Sequence, residues 1–97
     1  MSRFNLTLRA KEDLRSIWLY TCTRWGEEQA DAYVADIYKR CDWLAQQPYV
    51  GKLRTDIADG YYSFPQGQHL IFYLIQTRGI DIIAIPHRAM DVENHFD

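Results

Sequence analysis

Ninety-seven residues, 47% hydrophobic with three Trp, seven Tyr and four Phe, suffice for one domain with one core and exclude a disordered chain. Thirteen acidic residues against eleven basic ones leave a formal net charge of −2, the wrong sign for a protein that holds nucleic acid through its phosphates. No apolar run approaches the roughly 20 residues of a membrane span, and no basic segment leads into an apolar one as in a secretory leader, so a cytoplasmic location is expected.

In chain order, Phe4, Leu6 and Leu8 alternate with Asn5, Thr7 and Arg9, the period of a strand with one buried face. The period then lengthens. Leu14, Ile17, Trp18, Thr21, Cys22 and Trp25 recur at helical spacing, with Glu12 and Asp13 placed in the first turn and Arg24 in the last, each favourable to the helix dipole. Gly26 suits a left-handed stop. A second helix opens on Glu27, Glu28 and Asp31 and aligns Ala30, Tyr33, Val34, Ile37, Cys41 and Leu44 on one face. Pro48 ends it by pushing its predecessor out of the helical region. A linker of about two residues makes the pair an antiparallel hairpin.

Residues 49–59 turn polar and read as a loop, with room for a short strand around Ile57. Tyr61–Phe64 reads as a strand stopped by Pro65 and turned by Gln66-Gly67. Leu70–Ile75 and Ile80–Ile85, rich in β-branched and aromatic residues and separated by Gln76-Thr77-Arg78-Gly79, form a central β-hairpin. Pairing is expected to fail at Pro86, which cannot donate to a ladder. The order β-α-α-β-β-β gives an α+β domain, an antiparallel sheet with the helical hairpin packed on one face. The first strand returns to one edge of the three-strand meander. Cys22 and Cys41 fall about 15 Å apart along the hairpin, beyond the ~7 Å limit for a disulfide, and are expected as two buried, reduced thiols. No Cys/His cluster has metal-ligand spacing, so neither metal nor cofactor is expected.

Several stretches are familiar together: Ala10-Lys11-Glu12-Asp13-Leu14-Arg15-Ser16-Ile17, Trp25-Gly26, Leu44-Ala45-Gln46-Gln47-Pro48 leading to Gly51-Lys52, Tyr62 to Tyr73, and His87-Arg88-Ala89-Met90-Asp91. In this order, and over nearly the whole chain, they resemble ParE-type toxins of the RelE/ParE superfamily. The resemblance implies one toxin domain over residues 1–97, belonging to a type II toxin–antitoxin pair of the kind that maintains plasmids or chromosomes. It implies a ParD-like antitoxin partner whose N-terminal part binds DNA. It also implies a non-enzymatic inhibitor of DNA gyrase, with no sequence-specific nucleic-acid binding of its own. RelE-like relatives cut messenger RNA on the ribosome, so a ribosome-dependent mRNA endonuclease is the alternative. An inactive relative that only binds its antitoxin is a third reading, since Pro86 departs from the aliphatic residue more usual there.

Each reading names residues. A nuclease acting through the RNA 2′-hydroxyl needs a base, an acid and cations. His87, Arg88, Lys52 and Arg54 are the set for it, drawn from a pool that includes His69, Arg78 and His95. Against it, no Tyr follows Tyr73, and Glu93 and Asp97 in the tail would repel phosphate. A gyrase-binding surface needs exposed aromatic anchors and a few charges; Trp25, Tyr49, Arg88, Met90 and Phe96 fit, although the apolar ones are equally at home in a core. An antitoxin tail that folds on binding calls for an apolar groove between helices and sheet. Ile17, Tyr20 and Tyr38 are its candidate anchors, and Arg15 or Arg54, or Arg9, Lys11 or Lys39, would meet acidic antitoxin residues.

Overall fold

The computed structural model describes residues 3–89 and 92–96. Its elements are β1 (Arg3–Leu6), α1 (Leu8–Trp25), α2 (Glu27–Gln46), a 3-10 turn at Pro48–Val50, β2 (Lys52–Leu53), β3 (Tyr61–Gln66), β4 (His69–Gln76), β5 (Gly79–Ala84) and the four-residue α3 (Val92–His95). Thr7 decides where the strand gives way to the helix. Its Oγ1 accepts from Ala10 N at 3.2 Å and donates to the carbonyls of Ile82 and Ile83, capping α1 and pinning it to β5 at once. Leu8 therefore belongs to the helix and is 75% exposed, although its alternation with Leu6 reads as strand. The earlier start also moves Glu12 and Asp13 out of the first turn. Gly26 alone joins α1 to α2, at φ 95°, and Trp18 Nε1 donates to Asp31 Oδ1 across the hairpin at 2.8 Å.

The sheet runs β1-β5-β4-β3-β2. The meander is antiparallel as expected, but β1 pairs with β5 in parallel, so the sheet is mixed. The short strand of the polar loop lies at Lys52–Leu53, opposite Ser63 and Tyr62; Ile57 sits in a turn, its N–H on the Arg54 carbonyl at 3.0 Å. β3 runs on through Pro65 to Gln66, because β2 pairs only with Tyr62 and Ser63 and leaves that edge of β3 without a demand for the missing N–H.

One face of the sheet, with Ile71, Tyr73, Ile80 and Ile82, packs on Leu14 and Ile17 of α1 and Ile37, Cys41 and Leu44 of α2. The Tyr73 hydroxyl donates to the Pro48 carbonyl at 2.7 Å and accepts from Gly51 N at 3.2 Å, tying the end of α2 to the sheet; burial pushes its pKa up to about 12. Cys22 and Cys41 are both free thiols, Cys41 buried but Cys22 only half-buried, and burial pushes Cys41 up to about 12. Among the described residues no helix is long and apolar enough to cross a membrane.

Candidate interaction groove along the first helix

The polar side of α1 and the far end of the sheet enclose a groove. Pro86 helps to build it. Although Pro86 has no N–H to give, its carbonyl accepts from Leu70 N at 2.9 Å, and Arg88 N donates to the Gln68 carbonyl at 2.8 Å. The regular ladder stops at Ala84, short of Pro86, and resumes beyond it as the bridge that sets His87 opposite His69. Two adjoining cavities of about 140 and 330 Å3 share Tyr20, His69 and His87. The first reaches Asp13, Ile17 and His95; the second reaches Arg24, Trp25 and Tyr33.

Hydrogen bonds engage both imidazoles. Gln68 N donates to the Tyr33 hydroxyl at 2.9 Å, and the same hydroxyl lies 2.7 Å from His69 Nδ1. The Tyr33 hydroxyl can serve either neutral tautomer of His69. Burial above all, and then the neighbouring His87, hold its pKa down to about 4, against a raising effect of Asp13. His87 Nδ1 accepts from Ala89 N at 3.1 Å, so a neutral His87 carries its proton on Nε2. The groove sets two imidazoles among aromatic rings. A base needs a pKa near the working pH, which His69 lacks. Among the described residues no group of three or more His, Cys, Asp or Glu could hold a metal ion.

The residues singled out from sequence divide over several places. Trp25, 69% exposed, and Tyr20, 58% exposed, stand in the groove. Ile17 lines it too but is 6% exposed; it supplies floor, not a projecting anchor. Arg15 is exposed on α1 outside the groove. Tyr38 packs on Phe4 with ring centroids 6.2 Å apart and lines neither cavity. Arg54 lines neither cavity. It is bonded twice to Asp56, at 2.9 and 3.0 Å, with its guanidinium 5.2 Å from the Phe72 ring centroid.

Tyr49 is 74% exposed, but α2 lies between it and Trp25, a separation of about 30 Å for a helix of that length. The proposed anchors therefore form two surfaces instead of one. Phe96 does not project: its ring packs on Phe72 at 4.9 Å and Tyr61 at 5.6 Å, on the sheet face away from the helices. Met90 lies outside the described residues. Arg88 is exposed beside the β3–β4 turn, its Nη1 3.4 Å from the Gly67 carbonyl. The nuclease set also fails to converge. Lys52 is on β2, three strand spacings or about 14 Å across the sheet from β5, which leads to His87 and Arg88, and Arg54 is taken up by Asp56. The Tyr33–His69 pair escapes sequence reading because Tyr33 falls on the apolar face of α2 and looks like core.

The fold has a solved counterpart: a chain from the chromosomal ParDE TA system of P. aeruginosa superposes with a TM-score of 0.76, at 22% identity, over 90% of this chain and 96% of that one. The two chains share the fold, two helices packed on a five-stranded mixed sheet. The family described as ParE toxin of type II toxin–antitoxin system, parDE, matches residues 4–92. Toxin ParE1 of Caulobacter vibrioides is 34% identical over 96 residues, 99% of each chain. Toxin ParE1 of Mycobacterium tuberculosis is 34% identical over 96 residues, 98% of each. This chain belongs to the ParE toxin family of type II toxin–antitoxin systems.

Proposed function

We propose that the chain is a cytoplasmic toxin that arrests growth by binding DNA gyrase, without catalysis by its own side chains, and that a ParD-like antitoxin silences it by filling the groove along α1. The observation that carries this reading is the contrast between the surfaces. Exposed aromatic anchors line a groove of protein-binding character, whereas Lys52, Arg54, His87 and Arg88 are too scattered to act together on one phosphate. Membership in the ParE family supports it, as does the resemblance in fold to a chain from a ParDE system.

Growth arrest on induction in a sensitive host tests it. Trp25→Ala should weaken arrest at least tenfold in the dose needed while leaving the thermal midpoint within about 2 °C, since the ring is largely exposed. His87→Ala should arrest growth as the parent does. A folded, harmless His87→Ala variant would favour the mRNA endonuclease instead.

A further inference from the structure

Away from the groove, Arg40 of α2 is held in place by three neighbours. Its guanidinium carbon lies 4.7 Å from the Trp43 ring centroid and 5.1 Å from that of Phe64, and its Nε donates to Gln66 Oε1 at 2.9 Å. Among the described residues neither Nη has a hydrogen-bond or ion-pair partner. No buried side-chain nitrogen or oxygen among them is left unsatisfied, so the fork opens to solvent. It opens into a cavity of about 370 Å3 lined by Asp36, Lys39, Arg40, Trp43 and Gln66. Because Nε can only donate, Gln66 must turn its oxygen towards it, which points the Gln66 NH2 away from Arg40. The cavity is thus lined by the Arg40 guanidinium, Lys39 and the Gln66 amide against the single carboxylate residue Asp36.

We propose that this cavity is a carboxylate-binding site that takes an aspartate or glutamate side chain of a partner protein, the carboxylate in the Arg40 fork and its neighbouring chain against the Trp43 ring. A guanidinium already fixed by two rings and an amide loses little freedom on binding, and its planar fork matches a carboxylate in bidentate fashion. Asp36 and the chain's net charge of −2 oppose a doubly charged phosphate more than a singly charged carboxylate. Gln66 pairs with His69 across the β3–β4 turn, so the site lies just over that turn from the groove. Resting on the reading that an antitoxin fills the groove, the occupant is an acidic side chain of that same antitoxin.

The test is a titration of the full chain followed by the arginine Nε–Hε and tryptophan indole signals in proton–nitrogen spectra. The probes are acetyl-Gly-Glu-Leu-Gly-amide, the same peptide with glutamine, inorganic phosphate and a DNA duplex. The glutamate peptide should shift the Arg40 and Trp43 signals saturably in the millimolar range, with the glutamine peptide at least fivefold weaker. Gln66→Glu, which sets a carboxylate of the chain itself against the guanidinium at Nε, should abolish the effect, and Arg40→Lys should weaken it at least threefold. Equal binding of the glutamine peptide, tighter binding of phosphate or DNA at these signals, unchanged affinity in both variants, or no shift at Arg40 and Trp43 would overturn the proposal.

Discussion

Gly79 stands where the first strand meets the last. A Cβ there would lie 1.8 Å from the Arg3 carbonyl oxygen, so Gly79→Ala must part β1 from β5. The expected loss is about 2–4 kcal/mol, read from the denaturant midpoint; a loss under about 0.5 kcal/mol would mean that β1 moves aside without consequence. His69 adds a pH dependence of defined sign. Its folded pKa of about 4 lies below the ordinary 6.5, so in that window the unfolded chain takes up a proton that the folded chain refuses. Stability from this source is full above about 6.5 and falls as pH drops towards 4. Solvent at the half-buried ring reduces the effect to about 1–2 kcal/mol. Thermal midpoints of the parent and His69→Gln should therefore converge as pH falls from 7 to 4.5, and parallel curves would contradict the buried neutral imidazole.

Among the elements, the short α3 depends on a carboxylate far away in sequence. Asp13 Oδ2 accepts from Ile85 N at 2.8 Å and lies 3.0 Å from His95 Nε2, while Arg9 Nη1 donates to the His95 carbonyl. Asp13 thus joins α1, the end of β5 and the C-terminal turn. Asp13→Ala leaves the Ile85 N–H without its acceptor and should cost about 1–3 kcal/mol, with faster hydrogen exchange at Ile85. Asp13→Asn, which keeps an oxygen, should lose less than half of that; equal losses would show that charge, not hydrogen bonding, matters there. These contacts also mark what sequence can disclose. The two helices and the meander follow from local periodicity, and Gly26 and Pro48 punctuate them where the structure does. Periodicity alone makes Asp13 a dipole charge, because its partners are 72 and 82 residues away. The parallel partner of β1 is hidden for the same reason, and so is the return of Phe96 to Phe72. Trp25 and Tyr20 stand out in sequence as aromatics. The Tyr33 hydroxyl bond to His69, and the rings that hold Arg40, exist only after folding.

For the whole molecule, the exposed anchors fall at two ends of a body 37 Å long, with Trp25 and the groove at one and Tyr49 at the other. A target that needs both must span α2, and the double variant Trp25→Ala/Tyr49→Ala should then lose about as much in kcal/mol as the two single variants together, since sites this far apart add. A loss confined to Trp25 would place the whole target surface at the groove end. Gyrase poisoning and messenger cleavage differ in what the purified chain stops. Added in parallel to a gyrase supercoiling reaction and to a cell-free translation extract, it should halt supercoiling and accumulate cleaved DNA while translation proceeds. Uninterrupted supercoiling, with ribosome-bound transcripts cut at defined codons, would contradict it.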